Sequence, residues 1–221
     1  MTLKAVLISI AMLVAATLVT GAWFIYTTSQ SELDINGFNL PDPEPVAAFT
    51  LASATDADFN PDDFKGHWTF LYFGYMFCPD ACPLTLAQLS KAQQLLAEKG
   101  ADKDNAYVFI SVDPERDTPE KLRDYTAHFN PKFIGVTGTR AEIDKLVDHH
   151  GIFYAIDEHE EDDNAYTVYH PSELFLINPD AQLQALLRYP ENPVVMADDF
   201  LKIRAHYERS PWKSLVSIFG G

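Results

Sequence analysis

Cys78 and Cys82 are the only two cysteines in a chain of 221 residues, and three residues separate them. They lie in Phe73–Thr85, which reads FGYMFCPDACPLT. His67–Tyr75 before them is aromatic and apolar enough for a buried strand. Leu84, Leu86, Leu89, Leu95 and Leu96 after them recur at roughly helical spacing through Ala97. The pair is therefore expected in a strand-to-helix turn, with Cys82 in or near the first turn of the helix. A helix N-terminus carries partial positive charge and unpaired N–H groups, which favour thiolate over thiol. Pro83 suits such a start, because the N–H it lacks would find no partner there. Two activated sulfurs at a strand end serve either redox chemistry or a soft metal.

As a redox pair, Cys78 and Cys82 would close a disulfide if their Cα atoms lie within ~7 Å. As a metal pair, two thiolates suit Cu(I) or Zn(II), with geometry choosing between them. A structural zinc site takes four protein ligands, so a zinc finger is not expected of two cysteines. A purely stabilising disulfide is the bland alternative, and a loop this short restrains little unfolded-chain entropy.

Several further elements must position the pair. Tyr107–Val112 reads as a strand and ends in Asp113-Pro114-Glu115-Arg116-Asp117-Thr118-Pro119. Thr118 then caps a helix that starts at Pro119 and runs to about Phe129. Phe133–Val136 reads as a strand, Thr139–His150 as a helix closed by Gly151, and Ile152–Ile156 as a strand. Tyr166–Tyr169 and Leu174–Ile177 read as strands, Asn178-Pro179-Asp180 as a turn into strand Leu183–Arg188, and Val194–Tyr207 as the last helix. Val46–Leu51 is expected to be a short strand and Asp56–Lys65 an irregular polar segment. Strands alternating with helices imply a parallel core, and the final hairpin adds an antiparallel edge. The expected class is α/β, a thioredoxin-like fold with extra N-terminal strands.

That layout bears on a third ligand. The chain has seven histidines: His67, His128, His149, His150, His159, His170 and His206. His170 stands in the turn Tyr169-His170-Pro171-Ser172, just before the strand Leu174–Ile177. In a thioredoxin-like fold this loop faces the turn that holds the cysteines. Two thiolates and one imidazole give Cu(I) a trigonal site and hold Cu(II) with an added ligand. An ordinary turn histidine is the equal alternative.

Ala5–Tyr26 is an uncharged, mostly apolar run of 22 residues, long enough to cross a ~30 Å hydrocarbon core as a helix. Lys4 precedes it and an acidic segment follows, which predicts the N-terminus inside and the body outside. A cleaved signal peptide has a shorter apolar run, and Thr20-Gly21-Ala22 is a poor cleavage site, so an uncleaved transmembrane anchor is expected. The resulting division is 1–29 as anchor, 30–45 as a linker with Pro41, Pro43 and Pro45, 46–208 as the folded domain and 209–221 as a tail. Net charge is −16, and all 32 acidic residues lie beyond the anchor. Such a body offers no basic stripe for phosphates, which excludes nucleic acid as a partner, and its charge serves solubility.

The sequence resembles the Sco/SenC family of membrane-anchored copper proteins that help to assemble cytochrome c oxidase. The resemblance rests on FGYMFCPDACPLT, on DPERDTP at Asp113–Pro119, and on Tyr166-x-x-Tyr169-His170 followed by Phe175-Leu176-Ile177-Asn178-Pro179-Asp180. It extends from Val46 to about Tyr207. It implies one copper per chain, as Cu(I) or Cu(II), held by Cys78, Cys82 and His170. The implied task is delivery to the dinuclear copper centre of the oxidase's copper-bearing subunit. The other partners it implies are a periplasmic copper donor and a thiol reductase, with the domain facing the periplasm from a bacterial inner membrane. Some members are linked instead to thiol–disulfide reduction of the target cysteines. Cys78 would then be the attacking thiol and Cys82 the resolving one.

The chain departs from the family pattern at three places. Tyr169 stands where an Asp usually precedes the histidine, and loss of that carboxylate is expected to free the imidazole and weaken metal binding. Pro171 follows the histidine, one position out of register with the cis-proline of thioredoxin-like oxidoreductases. Met76 stands where Thr is common and is expected to pack, a soft auxiliary ligand being the alternative. Asp80 is a candidate for tuning the thiols or the helix terminus, and DPERDTP is expected to brace a loop beside the site. His149-His150 and the acidic run 157–163 are expected to be a solvated face, metal scavenging being the alternative, and the apolar stretch Trp212–Phe219 a frayed tail, contact with the membrane or a partner being the alternative.

Overall fold

The computed structural model describes residues 3–29, 33–53, 57–158, 165–188 and 192–209. Two units divide the chain, 1–34 with 206–221 and 35–205. The first contains α1 (Leu3–Ser29). Within α1, Val6–Phe24 has a mean hydropathy of 2.1, long and apolar enough to cross a membrane. Within it, Thr17 and Thr20 donate to the carbonyls of Leu13 and Ala16. That arrangement suits a helix in an apolar medium.

The second unit is built on one eight-stranded sheet. Its elements are β1 (Gly37–Pro45), β2 (Leu51–Ser53), β3 (Asp58–Phe59), a 3₁₀ turn at Pro61–Phe64, β4 (Trp68–Gly74), α2 (Ala81–Glu98) and β5 (Asn105–Ser111). They continue with α3 (Pro119–Phe129), β6 (Phe133–Thr137), α4 (Arg140–His149), β7 (Ala155–Ile156), β8 (Val168–Tyr169), β9 (Leu174–Asn178), β10 (Gln182–Leu187) and α5 (Pro193–Glu208), whose residues 206–208 are counted with the first unit. The strand order is β1-β10-β9-β4-β5-β6-β2-β3, while β7 and β8 pair separately as a two-stranded ribbon. β4, β5 and β6 run parallel, with Leu71 opposite Val108 and Val108 opposite Ile134. β9 and β10 add antiparallel strands on one side. This is the thioredoxin-like layout that the alternating elements imply.

β4 is buried at every position because it lies inside the sheet with packing on both faces. Leu71, Phe73 and Tyr75 point into a cluster with Val108, Ile110, Val136, Ile143, Leu146 and Val147. Phe70 and Tyr72 point the other way, against Tyr107, Phe109 and Phe200. Strand alternation therefore puts Tyr72 and Gly74 on one face. Thr118 accepts the Lys121 N–H at the start of α3, with Pro119 as its first residue. Thr139 caps α4 in the same way through Glu142.

The proline-rich stretch expected as linker is corrected by the structure. Residues 37–45 form β1, which pairs antiparallel with β10 as the outermost strand. Proline lacks an N–H for the ladder, but an edge strand has one side free of pairing. The register breaks between Asn39 and Glu44, the interval that holds Pro41 and Pro43. The expected strand Val46–Leu51 begins only at Leu51, and the segment expected to be irregular supplies β3. The strand expected over Ile152–Ile156 contracts to Ala155–Ile156, and that over Tyr166–Tyr169 to Val168–Tyr169. Residues 159–164 of the acidic stretch, 30–32 of the linker and 210–221 of the tail lie outside the described residues.

Candidate metal centre

The cysteine loop leaves the end of β4 and enters α2 at Ala81, so Cys82 is the second helical residue and Pro83 the third. Both fall where N–H groups have no intrahelical acceptor. Asp80, the residue before the helix, makes no side-chain capping bond. The Cys82 backbone N–H instead donates to Cys78 Sγ at 3.4 Å. Cys78 thus caps α2 with sulfur, and the helix terminus acts on Cys78 rather than on Cys82.

The two sulfurs sit in contrasting environments. Cys78 is half-buried and Cys82 is 0% exposed, and both are free thiols. The Cys82 side chain hydrogen-bonds the Cys78 sulfur and lowers its pKa to about 4, against the cost of burial and helped by the Cys82 N–H and His170. The same interaction, reinforced by burial, pushes the Cys82 thiol well up. The pair thus shares one proton, held on the inner sulfur.

His170 closes the cluster from the loop after β8. Its Nε2 lies 3.4 Å from Cys82 Sγ. Its Nδ1–H donates to the Pro171 carbonyl at 3.0 Å, which leaves the Nε2 lone pair facing the sulfurs. The ring meets Tyr72 edge-on at 5.9 Å and Tyr75 at 5.7 Å between centroids. The imidazole is therefore not freed by the exchange of Asp for Tyr169. A backbone carbonyl and two aromatic rings orient it, while Tyr169 is 59% exposed. No peptide bond is cis among the described residues, Tyr169–His170 and His170–Pro171 included.

Donor atoms of Cys78, Cys82 and His170 lie within 4.8 Å of one another. Two cysteine sulfurs and the Nε2 lone pair within that span fit a soft, low-coordinate cation, once the shared proton is given up. The sheet makes room for them at Gly74, where a Cβ would stand 2.5 Å from Cys82 Sγ and 2.8 Å from the Phe109 ring. His149 and His150 belong to no such group among the described residues. His149 Nε2 contacts the Pro45 carbonyl, and His150 is buried beside Glu44.

DPERDTP braces the site. Asp117 is fully buried and accepts both the Met76 N–H at 2.9 Å and the Ser111 hydroxyl at 2.5 Å. Arg116 donates from Nε to Asp113 and from Nη1 to the Tyr166 carbonyl. Its guanidinium lies 3.5 Å from the centroid of Tyr166 and 5.0 Å from that of Phe77, beside Cys78. Met76, half-buried, is fixed through its backbone. The Tyr72, Tyr75 and Gly74 contacts were not foreseen from sequence, although strand period alone puts Tyr72 and Gly74 on one face.

Fold and site together define a thioredoxin-like protein whose first strand-to-helix turn carries a dithiol closed by an imidazole from the loop opposite. Residues 40–205 match the SCO1/SenC family, and the chain belongs to it. The mitochondrial SCO1 homolog 1 of Arabidopsis thaliana is 41% identical over 173 residues, which cover 73% of this chain and 51% of that protein. The mitochondrial SCO1 homolog of Homo sapiens is 35% identical over 134 residues, covering 61% and 44%. An SCO2-like protein of Rickettsia felis is 38% identical over 130 residues, covering 59% and 62%. The chain thus spans less than two thirds of the length of these relatives. Among solved structures, Arabidopsis thaliana ScoI with copper bound superposes with a TM-score of 0.66 at 31% identity, covering 73% of this chain and 99% of that one. Bradyrhizobium japonicum ScoI with copper bound gives 0.61 at 30% identity, covering 72% and 99%.

Proposed function

We propose that the protein is a copper metallochaperone, with Cys78, Cys82 and His170 as the ligands of one ion per chain. The observation that carries this reading is the convergence of two sulfurs and the free Nε2 lone pair within 4.8 Å. The copper-bound relatives of the same fold support it. Copper is here cargo, a soft cation that exchanges between thiolate sites. Cys78 and His170 are half-buried while Cys82 is sealed beneath them, so incoming ligands meet Cys78 and His170 first. Phe77 and Tyr169, 55% and 59% exposed, flank these two ligands and give a partner apolar surface beside the site.

The partners in this reading are the copper-bearing subunit of a cytochrome c oxidase, a copper donor and a reductase that keeps the thiols reduced. A Cys78–Cys82 disulfide would remove two of the three ligands. α1 anchors the chain in a bacterial inner membrane, with the sheet domain on the periplasmic side.

The contrast between the two sulfurs also favours a second reading, thiol–disulfide exchange. Cys78, the more accessible thiolate, would attack a target disulfide. Cys82 would then resolve the mixed disulfide, passing two electrons to the target and leaving a Cys78–Cys82 disulfide for a dithiol donor to reduce. Copper stoichiometry and affinity of the reduced full-length protein in detergent, beside His170→Ala, separate the two. Chaperoning predicts about one tightly held copper, lost or loosened by at least tenfold in the variant. Binding indifferent to His170, with disulfide turnover intact, would establish the exchange reading instead.

A further inference from the structure

Tyr72 is 0% exposed, and its hydroxyl has no hydrogen-bond partner among the described residues. A hydroxyl left unsatisfied in a core is destabilising, because it gives up its water and gains no partner. Phenylalanine would fill the same space without that cost, and Phe70, Phe73 and Phe109 around it show that this core uses Phe freely. The hydroxyl therefore calls for an explanation within the site.

Its surroundings supply one. The Tyr72 ring packs between Phe109 and the edge of His170, on the β4 face against which Cys82 is pressed. The Cys82 sulfur and the Thr85 hydroxyl are both near enough to perturb the phenol, yet neither closes a hydrogen bond of normal geometry with it. Cys82 is a free cysteine, and a thiol is a weak acceptor, here already turned to Cys78 and His170. A metal-bound Cys82 is a thiolate, a strong acceptor, and its proton is gone. Cys82 then has the Tyr75 backbone N–H as a donor, as Cys78 has the helix N–H, and the Tyr72 hydroxyl on the same face would add a side-chain donor to it.

We propose that the Tyr72 hydroxyl is a side-chain donor to the Cys82 sulfur when the site is loaded, a positioning residue that holds and tunes the buried ligand. The inference rests on Cys78, Cys82 and His170 binding copper as set out above. Thr85, one turn into α2, would accordingly donate to the Tyr72 oxygen and turn its O–H towards the sulfur. A hydrogen bond to a thiolate lowers the energy of its lone pairs. It thereby raises the energy of sulfur-to-copper charge transfer and stabilises the reduced ion.

The test compares the wild type, Tyr72→Phe and, as a control, Tyr107→Phe. The last removes a buried phenol that bonds Asp102 at 2.5 Å, away from the sulfurs. Each full-length protein is reduced, titrated with Cu(II) for its charge-transfer spectrum and with Cu(I) against a competing chelator. Tyr72→Phe should move the charge-transfer band to longer wavelength and weaken Cu(I) about tenfold, the worth of one hydrogen bond to a charged group. Tyr107→Phe should lose stability without either change. Thr85→Val should shift the band in the same direction by less, and it serves if Tyr72→Phe does not fold. A Tyr72→Phe protein that binds one copper with an unmoved band and unchanged affinity overturns this inference alone, as does an unmoved band in Thr85→Val should Tyr72→Phe not fold. A wild type with no tight copper overturns the proposed function and this inference with it.

Discussion

Asp117 accepts the backbone N–H of Met76 at 2.9 Å, tying the loop after β5 to the loop that carries the cysteines. The bond spans 41 residues of sequence and ends two residues before Cys78. It joins parallel neighbours at the C-terminal end of the sheet, where open α/β sheets bind ligands. The second tie is Arg116, which reaches from Asp113 to Tyr166, four residues before His170. One short loop thus fixes both halves of the donor set.

Asp117→Ala should accordingly destabilise the protein by about 1–3 kcal/mol, because the buried Ser111 hydroxyl and the half-buried Met76 N–H lose their acceptor. Burial raises the Asp117 pKa, so the folded state takes up its proton more readily than the unfolded chain does. Its contribution falls as pH rises from about 3.9 to that raised value and is level above it. Urea unfolding at pH 7 and copper titration of the same variant check the expectation. Full stability together with full copper affinity would show that the tie holds nothing.

Gly74→Ala should be costlier than a methyl group elsewhere in β4. The added carbon would stand 2.5 Å from Cys82 Sγ and 2.8 Å from Phe109, with no flexible side chain to yield. Overpacking of this kind costs about 1–3 kcal/mol. Here the displaced atom is also a ligand, so copper affinity should fall along with the unfolding free energy. An Ala variant with native copper affinity would mean that the sulfur has room the structure does not show.

How much of this was legible beforehand follows from the range of the interactions. Thr118, Pro119 and Phe129 delimit α3 as read, because capping and helix phase are local. Cys78, Cys82 and His170 converge because the order of strands and helices already implies which loops meet. β1 was hidden by Pro41, Pro43 and Pro45, whose local signal is linker and whose tolerance depends on being at an edge. The orientation of His170 was hidden for a similar reason. A missing carboxylate is visible in sequence, but the Pro171 carbonyl and the Tyr72 and Tyr75 ring edges that replace it exist only after folding.

Selective alkylation should expose the division of labour between the sulfurs. Cys78 has its pKa lowered to about 4, so its thiolate fraction is nearly constant from pH 8 down to pH 6. An ordinary thiol loses about tenfold in rate per unit of pH over that range. Reaction of the reduced metal-free protein with iodoacetamide should therefore be nearly flat across it, with the adduct on Cys78 and none on buried Cys82. Cys82→Ala removes the hydrogen bond that most lowers the Cys78 pKa and should restore a steep pH dependence. Adducts on Cys82, or a steep wild-type profile, would refute the assignment.

His150 should set the acid limit of the fold. Its side chain is 3% exposed, neither ring nitrogen makes a hydrogen bond among the described residues, and the Glu44 carboxylate stands 3.7 Å from Nδ1. Burial lowers its pKa below 6.5, the neighbouring His149 adds to the shift, and Glu44 opposes it. The unfolded chain therefore takes up the proton first. Stability is fully present above about pH 6.5 and falls as pH drops towards the folded value, by at most about 1.4 kcal/mol per unit from this group. Glu44→Gln removes the opposing charge and should extend that fall to lower pH. His150→Leu should flatten it, whatever it does to stability at pH 8. Urea unfolding of the full-length protein in detergent between pH 5 and 8 measures the slopes, and an unchanged slope in His150→Leu would place the acid sensitivity elsewhere in the sheet.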